Sequence, residues 1–429
     1  MATQAAWKDA KAQWHSSTRP EQVTTVLLAF MILGGTILRI QGFGFPPRYT
    51  FDEDYCGPIA QHFLTGVVDL HDYHPPLSKL LGAIGILLFG YNSVGWRFVY
   101  LCFGLQTILI AYFLAREIFA SRRAGWLAAA FVAADGFFIA YSRAALMDQM
   151  LTCFVLWSML AIVTARTWRG VLATAVLVAC AASVKWNGLM VAVPVAVALF
   201  AYRRVPWYTI FWFAATPIVH VAIWMIGLKV MGHESDLAAV YQVIVDTFNS
   251  QRKCNHDANV LSSYWYTWPL LYRPIVIKFT EYGAANHYAS SAANVALFFP
   301  AGLLIFGLPI AKGAGLLRKS WRNFWPKSLD AEFARAAMLL ALGWFALIIL
   351  WAVTHGDHVF FYHYQHSYSF ALVLLAGYVA TQERRRPEAV LAFVALAVVV
   401  AIYYAPVWGE FSLTELQANR RLLFLPWRP

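Results

Sequence analysis

The sequence reads Phe-Asp-Glu-Asp-Tyr at residues 51–55 and His-Pro-Pro-Leu-Ser-Lys at residues 74–79. Three consecutive carboxylates are unusual here, because only 13% of the residues are charged and 60% are hydrophobic. Acidic residues often gather where a membrane protein emerges into water. These acids, however, have aromatic neighbours and are followed by a Pro-Pro pair, which restricts the backbone. We therefore predict that a first outer loop, residues 44–94, carries the reaction centre and that the helices hold a lipid-borne substrate against it.

The composition indicates an all-α polytopic membrane protein. The chain has 429 residues and a mean hydropathy of +0.56, far more apolar than a soluble domain. Residues 1–22 are polar, and the first apolar run is long enough to span a bilayer, so we expect it to be retained rather than cleaved. The net charge of +11 comes mostly from short connectors, where Lys and Arg set topology and meet anionic lipid. No nucleic-acid partner is expected.

Apolar runs predict about eleven transmembrane helices. Residues 80–90 form a shorter run after Pro-Pro, for which we predict an interfacial helix. The predicted spans lie at 23–43, 95–115, 124–141, 145–165, 170–184, 187–202, 206–228, 293–314, 336–354, 359–380 and 388–405.

The charge distribution predicts the orientation. With a cytoplasmic N-terminus, the clusters of basic residues all fall on the cytoplasmic side, as the positive-inside rule requires. The acidic loop, the long loop 229–292 and the tail 406–429 then lie on the outer face of the inner (plasma) membrane. No separate soluble domain is evident, so residues 1–429 are interpreted as one membrane domain in which loop 229–292 forms a lid.

Three basic residues on the predicted outer face are candidate phosphate ligands. Arg143 and Lys185 each follow an apolar segment, and Arg273 ends an aromatic patch that contains Trp265 and Trp268. Membrane anchoring is the alternative interpretation for each cation. A lysine beside a span is costly unless it is paired or hydrated, and guanidinium groups bind phosphate bidentately, so we favour phosphate binding. The aromatic rings fit either a membrane-interface belt or stacking on sugar.

A second polar group lies at the start of the tenth predicted span. His358, Tyr362, His363 and Tyr364 lie there, with His355 and Asp357 just before them. The spacing does not match a common metal-binding pattern, so we expect hydrogen bonds to a polar headgroup rather than a metal, and no cofactor.

Six short motifs, in order, resemble the protein O-mannosyltransferases of the GT-C glycosyltransferase superfamily. They are Phe-Asp-Glu, His-Pro-Pro-Leu-x-Lys, Ser-Arg-x-x-x-x-Asp, Ser-Val-Lys-Trp-x-Gly, Trp-Pro-Leu-x-x-Arg-Pro and Phe-x-Tyr-His-Tyr, between residues 51 and 368. The resemblance implies a GT-C fold of about eleven helices and a polyprenyl-phosphate-linked sugar donor. It also implies Asp52 as the base and Glu53 as an acceptor-orienting neighbour, with Arg143 and Lys185 near the lipid phosphate. Because loop 229–292 is short, the chain resembles a compact prokaryotic member of this family.

The resulting functional hypothesis is an inverting transfer of a sugar, mannose by resemblance, to a hydroxyl of an exported protein. The remaining candidates for acceptor or sugar binding are Asp54, Tyr55, His74 and Asp148. Two alternatives stay open: the same chemistry on an envelope lipid, or a lipid or solute transporter. A transporter is less favoured, since the polar groups lie on one side and no internal repeat is evident.

The cysteines give one structural hypothesis. Cys56 and Cys254 fall in two predicted outer loops, whereas Cys102, Cys153 and Cys180 fall in apolar runs. Outer compartments of bacteria are oxidising, so a disulfide between Cys56 and Cys254 would tie the lid loop to the acidic loop.

Overall fold

A computed structural model describes residues 16–66, 74–202, 204–253, 262–282, 285–313, 331–354 and 359–422. Most of this part of the chain is helical, as predicted. Segments of 3-10 helix, Trp186–Val191 and Trp207–Ala214, precede α9 and α10. The helices of the first half are α1 (Arg19–Ile40), α2 (Glu53–Thr65), α3 (Leu77–Phe89), α4 (Ser93–Ile118), α5 (Arg122–Ala133), α6 (Gly136–Ser142), α7 (Met147–Thr164), α8 (Trp168–Val184), α9 (Ala192–Tyr202), α10 (Ala215–Val230) and α11 (Leu237–Lys253).

The second half contains short strands as well as helices. Its 3-10 segments are Trp265–Leu270 and Phe361–Tyr364. The strands are β1 (Ser262–Ser263), β2 (Val276–Tyr282), β3 (Ala285–Ser290), β4 (Val359–Phe360) and β5 (Ser412–Leu413), and the helices are α12 (Val295–Gly313), α13 (Ala331–Thr354), α14 (Gln365–Glu383), α15 (Pro387–Trp408) and α16 (Glu415–Arg421).

Each predicted apolar run overlaps a helix, but fewer helices meet the length of a full span. Within the described ranges, six helices are long and apolar enough to cross a membrane, and the bent pair α5–α6 would make a seventh. The count of eleven therefore stays a prediction. Shorter apolar helices cover Leu77–Phe89, Trp168–Val184, Trp186–Tyr202 and Val295–Gly307.

The bend of 63° between α5 and α6 is held by charged side chains on both sides. Arg39 is fully buried. It donates to the carbonyl oxygens of Val132 at 2.9 Å and Ala133 at 2.8 Å, where the backbone hydrogen bonds of α5 end. Asp135 caps α6 by accepting from the backbone N–H of Phe137 at 2.9 Å. These contacts satisfy backbone groups that a helix break leaves unpaired. The break directs α6 into the connector 143–146.

Two small antiparallel sheets, which the all-helical prediction omits, assemble from connectors far apart in sequence. Strands β1 and β4 pair, and a second sheet has the order β2-β3-β5. The ring of His287 on β3 lies 5.1 Å from the ring of Phe45, in the segment that leads to the acidic residues. The long loop, the C-terminal segment and the acidic loop therefore meet on one face of the helices, which we call the acidic face.

Candidate active site

Asp52 lies at the start of α2 on the acidic face. The residue before it, Phe51, has a φ of 51°, in the left-handed region that non-glycine residues rarely adopt. Asp52 keeps part of its surface exposed. Burial raises the pKa of Asp52 from 3.8 to about 6; Lys185 opposes the shift, and Asp148 and Asp54 add to it. A carboxylate with such a pKa is a better proton acceptor near neutral pH than an ordinary aspartate.

Glu53 points into the protein. Its carboxylate is fully buried and accepts from Arg97 twice, with Nε at 2.7 Å from Oε1 and Nη2 at 2.6 Å from Oε2. It also accepts from Thr50, through the backbone N–H at 3.0 Å and the hydroxyl at 2.8 Å, and from the backbone N–H of Ala145 at 2.8 Å. These bonds favour a positioning role for Glu53, which holds Asp52 in place, over the predicted contact with the acceptor.

Arg97 was not singled out in the sequence, because it lies at the start of an apolar run. Besides Glu53, this arginine donates to the carbonyl oxygens of Phe43, Pro46 and Arg48 at 2.9–3.2 Å. It is fully buried. One guanidinium thus holds the backbone at three positions of the segment that leads to Asp52. The only signal in the sequence was a charge at the start of an apolar run, where an anchoring role is equally expected.

Lys185 and Asp148 form a buried ion pair, and the charges of both residues act on Asp52. The ammonium donates to both carboxylate oxygens at 3.0 and 3.1 Å, and the two side chains are 4% and 6% exposed. The Lys185 Nζ lies 3.3 Å from Nδ1 of His363 and 4.9 Å from the ring centre of Tyr362. Asp148 is thus the counter-ion of Lys185, and its predicted contact with the acceptor or the sugar stays a prediction.

His74 belongs to the same electrostatic neighbourhood. Burial lowers the pKa of His74 well below 6.5, and the positive charges of Lys185 and Lys79 lower it further. The Lys79 ammonium donates to the backbone carbonyl oxygen of His74 at 3.2 Å. His74 is therefore a neutral imidazole at physiological pH, suited to hydrogen bonding without adding charge near the base.

A layer of aromatic rings covers the ion pair. Tyr362 lies edge-on to Phe51, with 5.9 Å between ring centres, and 6.4 Å from Tyr141. Trp268 is fully buried 6.2 Å from the ring of His363. Of the predicted aromatic residues, Tyr362 therefore lies near Phe51 and Lys185, and Trp268 lies near His363.

Tyr141, on α6, is a member that the sequence analysis missed. It is 1% exposed, and its electrostatic neighbours include Asp148, Tyr362 and Asp52. Within the part of the chain that the structure describes, its buried hydroxyl has no hydrogen-bonding partner. In sequence it looked like one more aromatic residue of an apolar run.

Other predicted site residues are exposed or make contacts in other parts of the protein. Asp54 and Tyr55 are exposed on α2, and Trp265 is half-buried. The hydroxyl of Tyr364 accepts from Trp344 Nε1 at 3.0 Å, within the helix core. His358 lies outside the described residues.

Arg143 and Arg273, which the sequence suggested as phosphate ligands, contact other groups of the protein, and a phosphate contact of either stays a prediction. Arg143 is 1% exposed and pairs with Glu410, with 3.4 Å between Nε and Oε1; it also donates to the carbonyl oxygens of Leu38 and Gln41. Arg273 donates to the carbonyl oxygen of Ser262 at 2.7 Å. The geometry therefore favours Lys185 over Arg143 and Arg273 as the cation beside Asp52.

Two further predictions involve residues that lie outside the described ranges. Cys56 is buried on α2, whereas Cys254 lies outside the described residues, so the disulfide stays a prediction. Among the described residues, no group of three or more His, Cys, Asp or Glu side chains could hold a metal ion. His355 and Asp357 fall outside them, and the expectation of a metal-free reaction also stays a prediction.

Comparison with known proteins gives the family. A profile described as dolichyl-phosphate-mannose-protein mannosyltransferase matches residues 47–231. A second, described as the C-terminal four-transmembrane region of protein O-mannosyltransferase, matches residues 237–423.

Several curated relatives align over shorter stretches. The polyprenol-phosphate-mannose–protein mannosyltransferase of Mycolicibacterium smegmatis is 40% identical over 110 residues, 24% of this chain and 21% of that protein. Its namesake in Mycobacterium tuberculosis is 36% identical over 122 residues, 27% of this chain and 23% of that protein. The matched stretches thus span about a fifth to a quarter of these relatives' own length.

Solved structures show the same fold. The S. cerevisiae protein O-mannosyltransferase Pmt1–Pmt2 complex bound to the sugar donor has a TM-score of 0.78, with 96% of this chain and 93% of that chain covered at 12% identity. ArnT from Cupriavidus metallidurans in the apo state has a TM-score of 0.53, with 90% and 76% covered at 13% identity. These likenesses confirm the predicted polytopic GT-C fold. Since two profiles of one family match most of its length, the chain belongs to the protein O-mannosyltransferase family.

Proposed function

We propose that this protein transfers mannose from a polyprenyl-phosphate donor to Ser or Thr hydroxyls of exported proteins. The observation that carries the proposal is Asp52, a partly exposed carboxylate with a pKa of about 6, on which the charges of the buried Lys185–Asp148 pair act. The names of the bacterial relatives support mannose, a polyprenol phosphate and a protein acceptor. The basic connectors support an inner (plasma) membrane protein with a cytoplasmic N-terminus, so that the acidic face is the outer face.

The proposed reaction is a single inverting displacement. Asp52 takes the proton of the acceptor hydroxyl as its oxygen attacks the anomeric carbon. The bond from that carbon to the phosphate oxygen breaks, and polyprenyl phosphate leaves with the electron pair. Lys185 stabilises the charge on the leaving phosphate, and Glu53 and Arg97 keep Asp52 in position. Because phosphate is already a good leaving group, the reaction needs no metal.

Mass spectrometry of exported proteins tests this function. Cells that carry the chain should show hexose on Ser and Thr of exported proteins, and cells without it should lose that hexose. The same cells with Asp52→Asn should also lack it. Hexose that appears only on envelope lipids would favour the alternative acceptor, and lipid movement by the purified protein without any glycosylated product would favour a transporter.

In the purified system, a chelator should leave the rate of mannose transfer unchanged.

The pH dependence of transfer follows from Asp52. The base works only when deprotonated, and burial raises its pKa from 3.8 to about 6. We therefore expect kcat/KM to be half-maximal near pH 6, to level off about one pH unit above that and to approach a tenfold fall per pH unit about one unit below it, since this parameter reports the free enzyme. Rate measurements from pH 4.5 to 8 check this. A kcat/KM that stays constant from pH 8 down to pH 4.5 would contradict the environment assigned to Asp52.

Tyr141→Phe tests the buried hydroxyl beside the base. We expect this hydroxyl to donate to the donor phosphate, so its removal should lower kcat/KM about 10- to 100-fold, the range for one hydrogen bond to a charged group. The Tm should not fall, because no described residue accepts that hydrogen bond. Tyr202→Phe is the matched control: its hydroxyl is also buried without a described partner, at the end of α9 away from Lys185. Equal kcat/KM in Tyr141→Phe and the parent would contradict the role.

A further inference from the structure

We propose that the chain holds one bilayer phospholipid with a primary-amine headgroup, of the phosphatidylethanolamine type, at a site between α1 and α15. Two cavities adjoin there and share Gln41 in their walls. One, of about 340 Å³, is bordered by Arg143, Glu410 and His287. The other, of about 250 Å³, is lined almost wholly by apolar side chains. A polar pocket that continues into an apolar groove suits a molecule with a polar head and a hydrocarbon chain.

The groove lies on a surface that faces the bilayer. Both helices are among those long and apolar enough to cross a membrane, and the groove-lining residues Phe30, Ile37 and Ile402 are about half exposed. From Gln41 to Phe30 the groove follows α1 for about 16 Å, at a rise of about 1.5 Å per residue. This is about half of the ~30 Å hydrocarbon core. A chain from a single leaflet therefore fits its length.

The width of the groove selects its occupant. A transmembrane helix of another chain measures about 10 Å across with its side chains, too wide for a groove of about 250 Å³ spread along that length. A single hydrocarbon chain fits. Gly34 lies in the groove wall, and a Cβ built there would meet nothing within 4 Å. The space beside Gly34 is therefore available to an acyl chain.

The polar pocket offers one positive and one negative group. Arg143 and Glu410 pair at 3.4 Å with side chains only 1% and 2% exposed, and His287 Nδ1 lies 2.8 Å from the backbone oxygen of Glu410. Glu410 has a φ of 60°, a strained conformation of the kind found at ligand sites. A guanidinium matches a phosphate and a carboxylate matches an ammonium. A phosphatidylethanolamine headgroup carries both partners, whereas phosphatidylglycerol lacks the ammonium.

Native mass spectrometry of the purified full chain tests the site. The protein is equilibrated with equal amounts of phosphatidylethanolamine and phosphatidylglycerol of the same acyl chains. We expect one phosphatidylethanolamine to be retained, at least tenfold over phosphatidylglycerol. Gly34→Leu should reduce that retention at least tenfold by filling the groove. Gly307→Leu is the matched control, because a Cβ at Gly307 on α12 also meets nothing within 4 Å, and it should retain lipid like the parent.

A second variant tests the headgroup independently of the groove. Glu410→Gln removes the negative charge at nearly constant shape and should abolish the preference between the two lipids without abolishing binding. Equal retention by Gly34→Leu and the parent would overturn the proposal, as would an unchanged preference in Glu410→Gln. Displacement of the lipid by polyprenyl phosphate at equal concentration would assign the pocket to the glycosyl donor instead, and a dimer lost only in Gly34→Leu would assign the groove to a second copy; either result overturns it.

Discussion

Asp52→Asn is expected to abolish transfer, with a loss in kcat of at least about 100-fold, the lower range for a general base. The asparagine has nearly the same shape as the aspartate but cannot accept the hydroxyl proton. Expression and donor binding should be largely retained, because the contacts that fix this segment belong to Glu53 and Arg97. Steady-state kinetics with polyprenyl-phosphate mannose, together with equilibrium binding of the donor, measure both properties.

Asp54→Asn is the matched control for this variant. It removes the same charge from the same segment, but Asp54 is exposed, and its predicted contact with the acceptor would affect KM rather than kcat. A kcat near the parent value in Asp52→Asn would contradict the mechanism. An equal loss in both variants would indicate that the charge of this segment matters, rather than a base at Asp52.

Lys185→Met should have the second-largest effect, on donor binding and on stability together. The substitution removes the cation proposed for the donor phosphate and leaves Asp148 buried without its ion pair. Breaking such a pair by removing one partner costs about 3–5 kcal/mol of the free energy of unfolding. Loss of one charge-assisted bond to phosphate should weaken donor binding by about 10- to 100-fold.

The double variant Lys185→Met/Asp148→Asn separates the two effects. It removes both buried charges, so its free energy of unfolding should recover much of the loss, whereas donor binding should stay weak. Thermal unfolding and binding of polyprenyl-phosphate mannose are measured on the same preparations. Recovery of donor binding in the double variant would show that Lys185 acts only as the structural partner of Asp148.

The sequence predicted best those features that depend on local pattern. Apolar runs located the helices because hydrophobic length is a local property. Lys185 could be identified because an ammonium beside an apolar segment is costly unless something compensates for it. The partner of Lys185 is 37 residues away on α7, and the sequence named Asp148 only as a sugar ligand. The charge could be found from the sequence, but the ion pair could not.

Interactions between distant segments were not predictable in the same way. Glu53 and Asp52 are adjacent and chemically alike, and only the position of Arg97, 44 residues later, turns one carboxylate inward. The pairing of Arg143 with Glu410 could not be predicted either, because the two residues are 267 positions apart in the sequence. Tyr141 gave no signal at all, since a buried aromatic ring is ordinary and only its neighbours make its hydroxyl notable. Side-chain partners across helices depend on the packed structure, which local patterns do not describe.

Transfer by the purified protein tests the central claim most directly. The full chain in lipid vesicles is supplied with polyprenyl-phosphate mannose and a Ser/Thr-containing peptide, and the peptide mass and the anomeric configuration of the product are determined. The account predicts addition of one hexose with inversion at the anomeric carbon for the parent, and none for Asp52→Asn. A product that retains the donor's configuration, or equal product from both proteins, would contradict it.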